Sequence, residues 1–339
     1  MKSFSNFLLS TAAVLSVSAC SSGGTNSLGQ PGISPEESAR NFSQVDANDP
    51  NNVEDAGGAV ANGKTLSARS VSVAGLATDY QTGQSSLANA AVTVRRNASG
   101  ELTVSVNGVE TAFAEGDRFI EIDGSSYGYE IEGGTTYSGA YNQTGPIDDF
   151  LNPGDNYAEV LFVETNGISS NPDKYLIAYA VLGTETRDGA LSSLPTATYN
   201  GRTKILSASN TSDSDNNFNF NSVRSDLEMT ADFGAGEISG VMSNFVGENR
   251  DLGDQPLAGS VAMNKATFTQ NGFKGTLTAD DAFGANGVTI DPTSTYSGAF
   301  YGPSAETVGG VLNVTGSNGV AGYNGIGYFI ADRNRFARE

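Results

Sequence analysis

From about Lys64 onward, apolar and polar residues alternate. Val92 and Val94 alternate with Thr93 and Arg95, and Leu102, Val104 and Val106 alternate with Thr103, Ser105 and Asn107. A period of two marks strands with one face towards a core. Asn107-Gly108 between two such runs predicts a tight hairpin into residues 109–113. Further strands are expected over 119–122, 127–131, 135–141, 158–164 and 175–182, with a turn at 97–100 and a loop at 146–155. No stretch keeps a helical period over several turns. Residues 63–195 therefore read as one β-rich unit.

The second half alternates more cleanly. Strands are expected over 198–206, 225–233, 237–245, 259–269, 273–278, 295–301, 306–314 and 322–331, joined by Gly-rich or polar turns such as Gly234-Ala-Gly236, Asn271-Gly272 and Gly316-Ser-Asn-Gly319. Eight antiparallel strands can close on themselves and so remove exposed edges. A barrel of that size is filled by side chains or holds one small ligand. The fold class is thus all-β: a β-rich unit at 63–195, then an eight-stranded antiparallel β-barrel at 196–333.

Composition agrees. The chain has 339 residues, of which 42 are Gly and 38% hydrophobic, enough for a core and rich in turn formers. The charge is −20, from 18 basic and 38 acidic residues. That balance excludes nucleic acid as a partner, since phosphate binding needs a basic patch. It keeps a secreted protein soluble and favours basic partners or cations. There is no His, and Cys20 is the single Cys. Intrachain disulfides, Cys/His zinc sites and any Ser-His-Asp or Cys-His device are therefore excluded. A haem would need a Tyr or Met ligand.

The N-terminus has a different pattern. Lys2 precedes an apolar run at 7–17 that is too short for a stable membrane span. Val17-Ser-Ala-Cys20 follows, and it resembles the bacterial lipobox, in which the Cys is acylated after cleavage. The resemblance implies a lipoprotein signal peptide at 1–19 and lipid attachment at Cys20. The alternative is an ordinary signal peptide with an incidental Cys. Ser21, where inner-membrane retention would place Asp, implies the outer membrane. Residues 20–62 are polar, with Pro31, Pro35 and the run Asp46-Ala-Asn-Asp-Pro-Asn-Asn52, and read as a flexible tether. A short helix at 35–42 would have Ser34 as cap and Pro35 at its first position.

Tyr296-Ser-Gly-Ala-Phe-Tyr-Gly-Pro-Ser-Ala-Glu-Thr-Val-Gly-Gly310 carries a further resemblance. Gly298, Phe300, Tyr301, Gly302, Pro303, Ala305, Glu306, Gly309 and Gly310 match a signature of the transferrin-binding protein B-like lipoproteins. Ala197-Thr-Tyr-Asn-Gly201 resembles the family's first barrel strand, and Asp232-Phe233, Gly236 and Ile238-Ser-Gly240 resemble its Asp-Phe…Gly-x-Ile-x-Gly hairpin. The last strand, Tyr328-Phe-Ile-Ala-Asp-Arg333, departs from the pattern at Ile330 and Asp332. The resemblance covers about 197–333 and implies a smaller β handle before the barrel. As scaffold, Phe300 and Tyr301 should face opposite sides of a strand, and Gly302-Pro303 should turn the chain. Gly309-Gly310 should permit a bend or bulge.

Other candidate chemistry is thin. Asp213-Ser-Asp215-Asn-Asn217 begins like a calcium loop, but Phe218 and Arg224 stand where that loop needs Gly and Glu. Asp148-Asp149 and Asp280-Asp281 are neighbours in sequence and do not form a glycosidase pair. Tyr127, Tyr129, Tyr137 and Tyr141 are interface anchors or ordinary strand residues. No catalytic residue, metal ligand or cofactor is expected, and ligand-binding residues are unassigned.

The family resemblance implies a surface-displayed outer-membrane lipoprotein that captures a protein ligand, of the iron-carrier, haem-protein or host-protein type. It also implies an outer-membrane lipoprotein translocator as partner. Two alternatives stand beside it. One is a small-molecule or haem binder using the barrel interior; the other is a structural envelope lipoprotein without exchangeable ligand. An integral outer-membrane barrel fits poorly, because the chain has no Trp for an aromatic girdle.

Overall fold

The computed structural model describes residues 44–45, 65–67, 72–79, 84–96, 102–119, 128–133, 136–144, 157–166, 174–183, 185–209, 220–249, 253–268, 270–317, 319 and 321–333. Cys20, the expected helix at 35–42, the turn at 97–100, the loop at 146–155 and the acidic run at 213–217 lie outside them.

The first half carries β1 (Gln44–Val45), β2 (Thr65–Ser67), β3 (Val73–Asp79), β4 (Gln84–Ala88), β5 (Val92–Arg96), β6 (Leu102–Val106), β7 (Val109–Phe113), β8 (Arg118–Phe119), β9 (Gly128–Gly133), β10 (Thr136–Asn142), β11 (Ala158–Asn166) and β12 (Lys174–Gly183). The second carries β13 (Glu185–Thr186), β14 (Ala197–Ser209), β15 (Phe220–Asp232), β16 (Glu237–Asn249), β17 (Gly253–Leu257), β18 (Val261–Thr267), β19 (Phe273–Ala279), β20 (Thr289–Ile290), β21 (Thr295–Tyr301), β22 (Thr307–Ser317) and β23 (Gly322–Asp332).

Two sheets build the handle. β2-β5-β6-β7 is a four-stranded antiparallel sheet, and β4-β3-β12-β11-β10-β9-β8 a seven-stranded one. The β6–β7 hairpin turns at Asn107 and Gly108, both with positive φ. The Asn107 side chain accepts from the Ala91 N–H at 2.8 Å, tying the turn to the start of β5. The two sheets bury Val92, Val94, Leu102, Val104 and Phe113 against Tyr129, Leu161, Val163 and Leu176.

The barrel closes in the order β21-β19-β18-β16-β15-β14-β23-β22, with β22 returning to β21. On β15, Leu227, Met229 and Ala231 are buried, while Asp226, Glu228, Thr230 and Asp232 are exposed. The interior is packed with Tyr199, Met229, Phe233, Phe245, Phe273, Tyr296, Phe300 and Phe329 among others. Phe300 points into this core and Tyr301 out of it, into a second core shared with the handle. In that second core Ala74, Leu76, Ile177 and Val181 meet Ala299, Val311, Ile326 and Ile330. Ile330, unusual for the family pattern, therefore serves the handle contact. Asp332 accepts a hydrogen bond from Thr307 at 2.8 Å and closes the β22–β23 pair.

Of the bend or bulge expected at Gly309-Gly310, the bulge does not occur, because the β22 register runs unbroken against both neighbours. The irregularities fall between β15 and β16 near Arg224/Asp226 and between β16 and β18 near Ile238/Gly240. At the first, Asn244 has a φ of 53° and its amide donates to Asp226 at 2.8 Å. The two glycines serve close approach instead. Strands β3 and β4 escape the alternation reading altogether, since β3 is buried on both faces and β4 is polar.

The handle enters the barrel through β13. Asn271, fully buried, donates to the carbonyls of Thr186 and Phe300 at 2.8 Å each and accepts from the Phe300 N–H at 2.7 Å. Replacing it with Ala leaves three buried backbone groups without these partners, at roughly 1–3 kcal/mol for a group left unsatisfied. We expect Asn271→Ala to lower the urea midpoint of the barrel clearly, and an unchanged midpoint would disprove this role.

Candidate functional site

The seven-stranded sheet has a face turned to the barrel. Alternation places Tyr141 on β10, Phe162 and Glu164 on β11, and Tyr175 and Tyr179 on β12 on that face. The opposite set, Ala140, Leu161, Val163 and Ala178, packs on the four-stranded sheet. Register then aligns a row. Tyr141 stands opposite Phe162, and Phe162 opposite Tyr179. Ring centroids step 6.1 Å from Tyr141 to Phe162, 5.0 Å on to Tyr179, and 5.2 Å on to Tyr328 of the barrel. Tilted contacts at such separations are favourable aromatic geometry. Tyr179 and Tyr328 are buried at the junction, while Tyr141, Phe162 and Tyr175 are half-buried.

A second row runs beside the aromatic one. Gly139 stands opposite both Glu130 and Glu164. A Cβ at Gly139 would come within 2.7 Å of the Tyr141 ring, so the missing side chain lets that ring lie across the sheet. The Tyr141 hydroxyl reaches both carboxylates, in a short hydrogen bond to Glu130 and at 3.1 Å from Glu164. Tyr175 donates to the other oxygen of Glu164 at 2.6 Å. One phenol carries one proton, so Tyr141 can donate to one carboxylate at a time. The row therefore presents two carboxylates and a ring edge together. Across the junction, Glu248 of the barrel pairs with Lys204 at 3.3 Å and Arg224 at 3.7 Å.

Burial raises the Tyr179 phenol far above its ordinary range, and the Tyr328 hydroxyl and the Glu248 and Glu164 carboxylates push the same way. Burial likewise raises Tyr199, Tyr296 and Tyr328. Tyr323 is pushed up to about 12 by burial and by Asp291. Each folded value exceeds the unfolded one of about 10, so the stability these phenols contribute is complete below that pH and lost as pH rises through the folded values. The protein should therefore unfold in alkali together with a steep rise in tyrosinate absorbance above about pH 10. Tyrosines that titrate gradually near pH 10, with circular dichroism unchanged, would contradict this.

The arrangement is suited to recognition. Half-buried aromatic rings beside carboxylates form an anchor surface. Among the described residues, no group of three His, Cys, Asp or Glu side chains is placed to hold a metal. Of the residues singled out by sequence, Tyr141 lies in this row. Tyr129 is buried in the handle core, 5.8 Å from Phe113. Tyr127 and the side chain of Tyr137 lie outside the described set. Asp280 caps the helical turn Asp281–Gly284, accepting from the Phe283 N–H at 2.7 Å. The barrel interior is filled. Its Tyr199 and Tyr296 hydroxyls donate to the carbonyls of Ala305 and Asn264 at 2.7 and 2.5 Å, so neither points at an open site. Phe162, Glu130, Glu164, Tyr175, Tyr179 and Tyr328 were missed. The run Tyr175-Leu-Ile-Ala-Tyr-Ala-Val-Leu182 carried a usable signal, since a strand apolar on both faces must be covered twice.

Residues 193–333 match the family model described as the C-lobe and N-lobe β-barrels of transferrin-binding protein B. No curated protein sequence matches the chain. Isotype 1 transferrin-binding protein B from serogroup B Neisseria meningitidis is similar in structure, at 17% identity and a TM-score of 0.39, over 78% of this chain and 43% of that one. The Haemophilus parasuis Hp5 protein, as a double mutant, aligns at 18% identity and a TM-score of 0.39 over 77% and 45%. The haemoglobin receptor HpuA from Kingella denitrificans aligns at 12% identity and a TM-score of 0.35 over 87% and 93%. The chain spans less than half the length of the transferrin-binding protein B structures it matches. The signature at 296–310 falls inside the matched segment, so residues 193–333 of this chain are similar to the β-barrels of the transferrin-binding protein B family.

Proposed function

We propose that this protein is an outer-membrane lipoprotein, anchored through lipid on Cys20 and displayed on the cell surface, that binds a protein ligand and catalyses nothing. The match of residues 193–333 to the transferrin-binding protein B barrel model is the observation that carries this reading. The ligand class is an iron carrier, a haem protein or another host protein, and the translocator that would deliver the head to the surface is an outer-membrane partner. The aromatic and acidic rows of the handle supply a contact surface of suitable chemistry: apolar anchors with carboxylates for basic side chains. The outer wall of β15 bears Arg224, Asp226, Glu228 and Asp232, a polarity that suits water better than lipid.

Two measurements test the proposal. Protease shaving of intact cells should remove the head, and a Cys20→Ala chain should lose membrane attachment. Affinity capture from serum with the mature protein should retain a specific protein, and Phe162→Ser, which removes a half-buried anchor, should weaken that capture about tenfold or more, as hot-spot loss does. Retention of no protein under iron-replete or iron-starved conditions would overturn the binding reading. Protection of the head from protease on intact cells would overturn display.

A further inference from the structure

The strand pair β1–β13 lies outside both the barrel ring and the handle sheets. Gln44 stands opposite Glu185 and Val45 opposite Thr186, in parallel. The other edge of β13 pairs with Tyr301 of β21. Glu185 and Thr186 are both buried. The Thr186 hydroxyl donates to the Gly302 carbonyl at 2.6 Å, and Asn271 donates to the Thr186 carbonyl at 2.8 Å. β13 is thus stitched to the barrel rim from one side and presents a preformed backbone edge on the other. Such an edge accepts an added strand through main-chain hydrogen bonds, largely without regard to side-chain sequence.

We propose that the β13 edge is a strand-accepting site whose occupant is the N-terminal tether of this same chain, and that this pairing sets how far the head stands from its anchor. Two paired residues make a short ladder, and parallel pairing is the weaker kind, so the latch opens and closes reversibly. Closed, it leaves residues 20–43 between Cys20 and the head, with a contour of at most about 85 Å. Open, the span runs to β2 at Thr65 and the limit is about 160 Å. The latch therefore roughly halves the upper limit of the reach. The consequence for reach rests on lipid attachment at Cys20; the pairing itself does not.

The test uses the full chain with Cys20→Ser, so that no native thiol competes and no lipid is involved. In the pair Gln44→Cys with Glu185→Cys, mild oxidation should form an intramolecular disulfide, seen as a mobility shift reversed by reductant. The control pair Gln44→Cys with Thr230→Cys, whose second position is exposed on the barrel wall, should not cross-link. Equal cross-linking in both pairs, or none in the first, would overturn the proposal. A second variant changes the tether alone: Gln44→Pro with Val45→Pro removes its backbone donors. Amide exchange at 185–186 should then accelerate at least tenfold while exchange along β14 stays unchanged. Unchanged exchange at 185–186 would overturn the latch whether or not the protein binds any ligand.

Discussion

Gly310→Val is expected to unfold the barrel or to lower its urea midpoint severely. Gly310 stands opposite Gly298 on β21 and opposite Phe329 on β23. A Cβ there would lie 2.1 Å from the Ser297 carbonyl oxygen, and 2.6 Å from both the Gly298 Cα and the Phe329 ring. Two of these atoms belong to the backbone and cannot rotate away. The Phe329 ring is itself pinned among Phe273 and Tyr296, at 6.3 and 6.4 Å between centroids. Val adds two further methyl groups to the clash. Overpacking of this kind costs typically 1–3 kcal/mol and more where backbone must move, so about 3 kcal/mol or more is expected. Gly284→Ala is the control: no atom lies within 4 Å of its Cβ position, and about 0.5 kcal/mol or less should be seen. Equal urea midpoints for the two variants would contradict the packing account.

Phe300→Ala should rank beside it, by the opposite mechanism. Phe300 is fully buried at the centre of the barrel, with centroids 5.0 Å from Phe233, 5.1 Å from Phe268, 5.5 Å from Phe273 and 6.2 Å from Tyr199. These rings come from several strands and loops, so no single neighbour can collapse into the space. Truncating a buried Phe costs about 3–5 kcal/mol, part of it the cavity left behind. Tyr301→Phe, one residue along on the other face, keeps the ring and removes only the hydroxyl, which lies 3.1 Å from the Ser72 hydroxyl, and should cost far less. A Phe300→Ala protein with a parental thermal midpoint would show that the barrel interior repacks freely.

Much of the barrel was legible because one wall of it faces water. On β15 the contrast of solvent and core is written residue by residue, from Asp226 to Phe233. Asn107-Gly108 was legible because few residues accept positive φ, and the structure uses both. β3 was not legible. Apolar–polar alternation fails over Val73-Ala-Gly-Leu76, since Leu76 and Ala74 face the barrel while Val73 faces the four-stranded sheet. The Gly309-Gly310 pair was read as permitting a bend or bulge. The register holds no bulge there, and the close approach of β21 and the Phe329 ring to Gly310 involves residues far away in sequence.

The sequence by itself determined the class of the molecule: strands set by period two, turns set by Gly and Asn, a barrel marked by its 296–310 signature, and chemistry restricted by the absence of His. These follow from local backbone preference and from the alternation that one solvent-facing side imposes. Only the tertiary structure decided where the handle sits on the barrel, and which strands are therefore buried on both faces. It also decided that Tyr141, Phe162, Tyr179 and Tyr328 form one row beside Glu130 and Glu164, and that Gln44–Val45 meets β13. Each of these is a matter of register and docking between segments distant in the chain, and register is set by the packing of whole faces rather than by any residue's own preference.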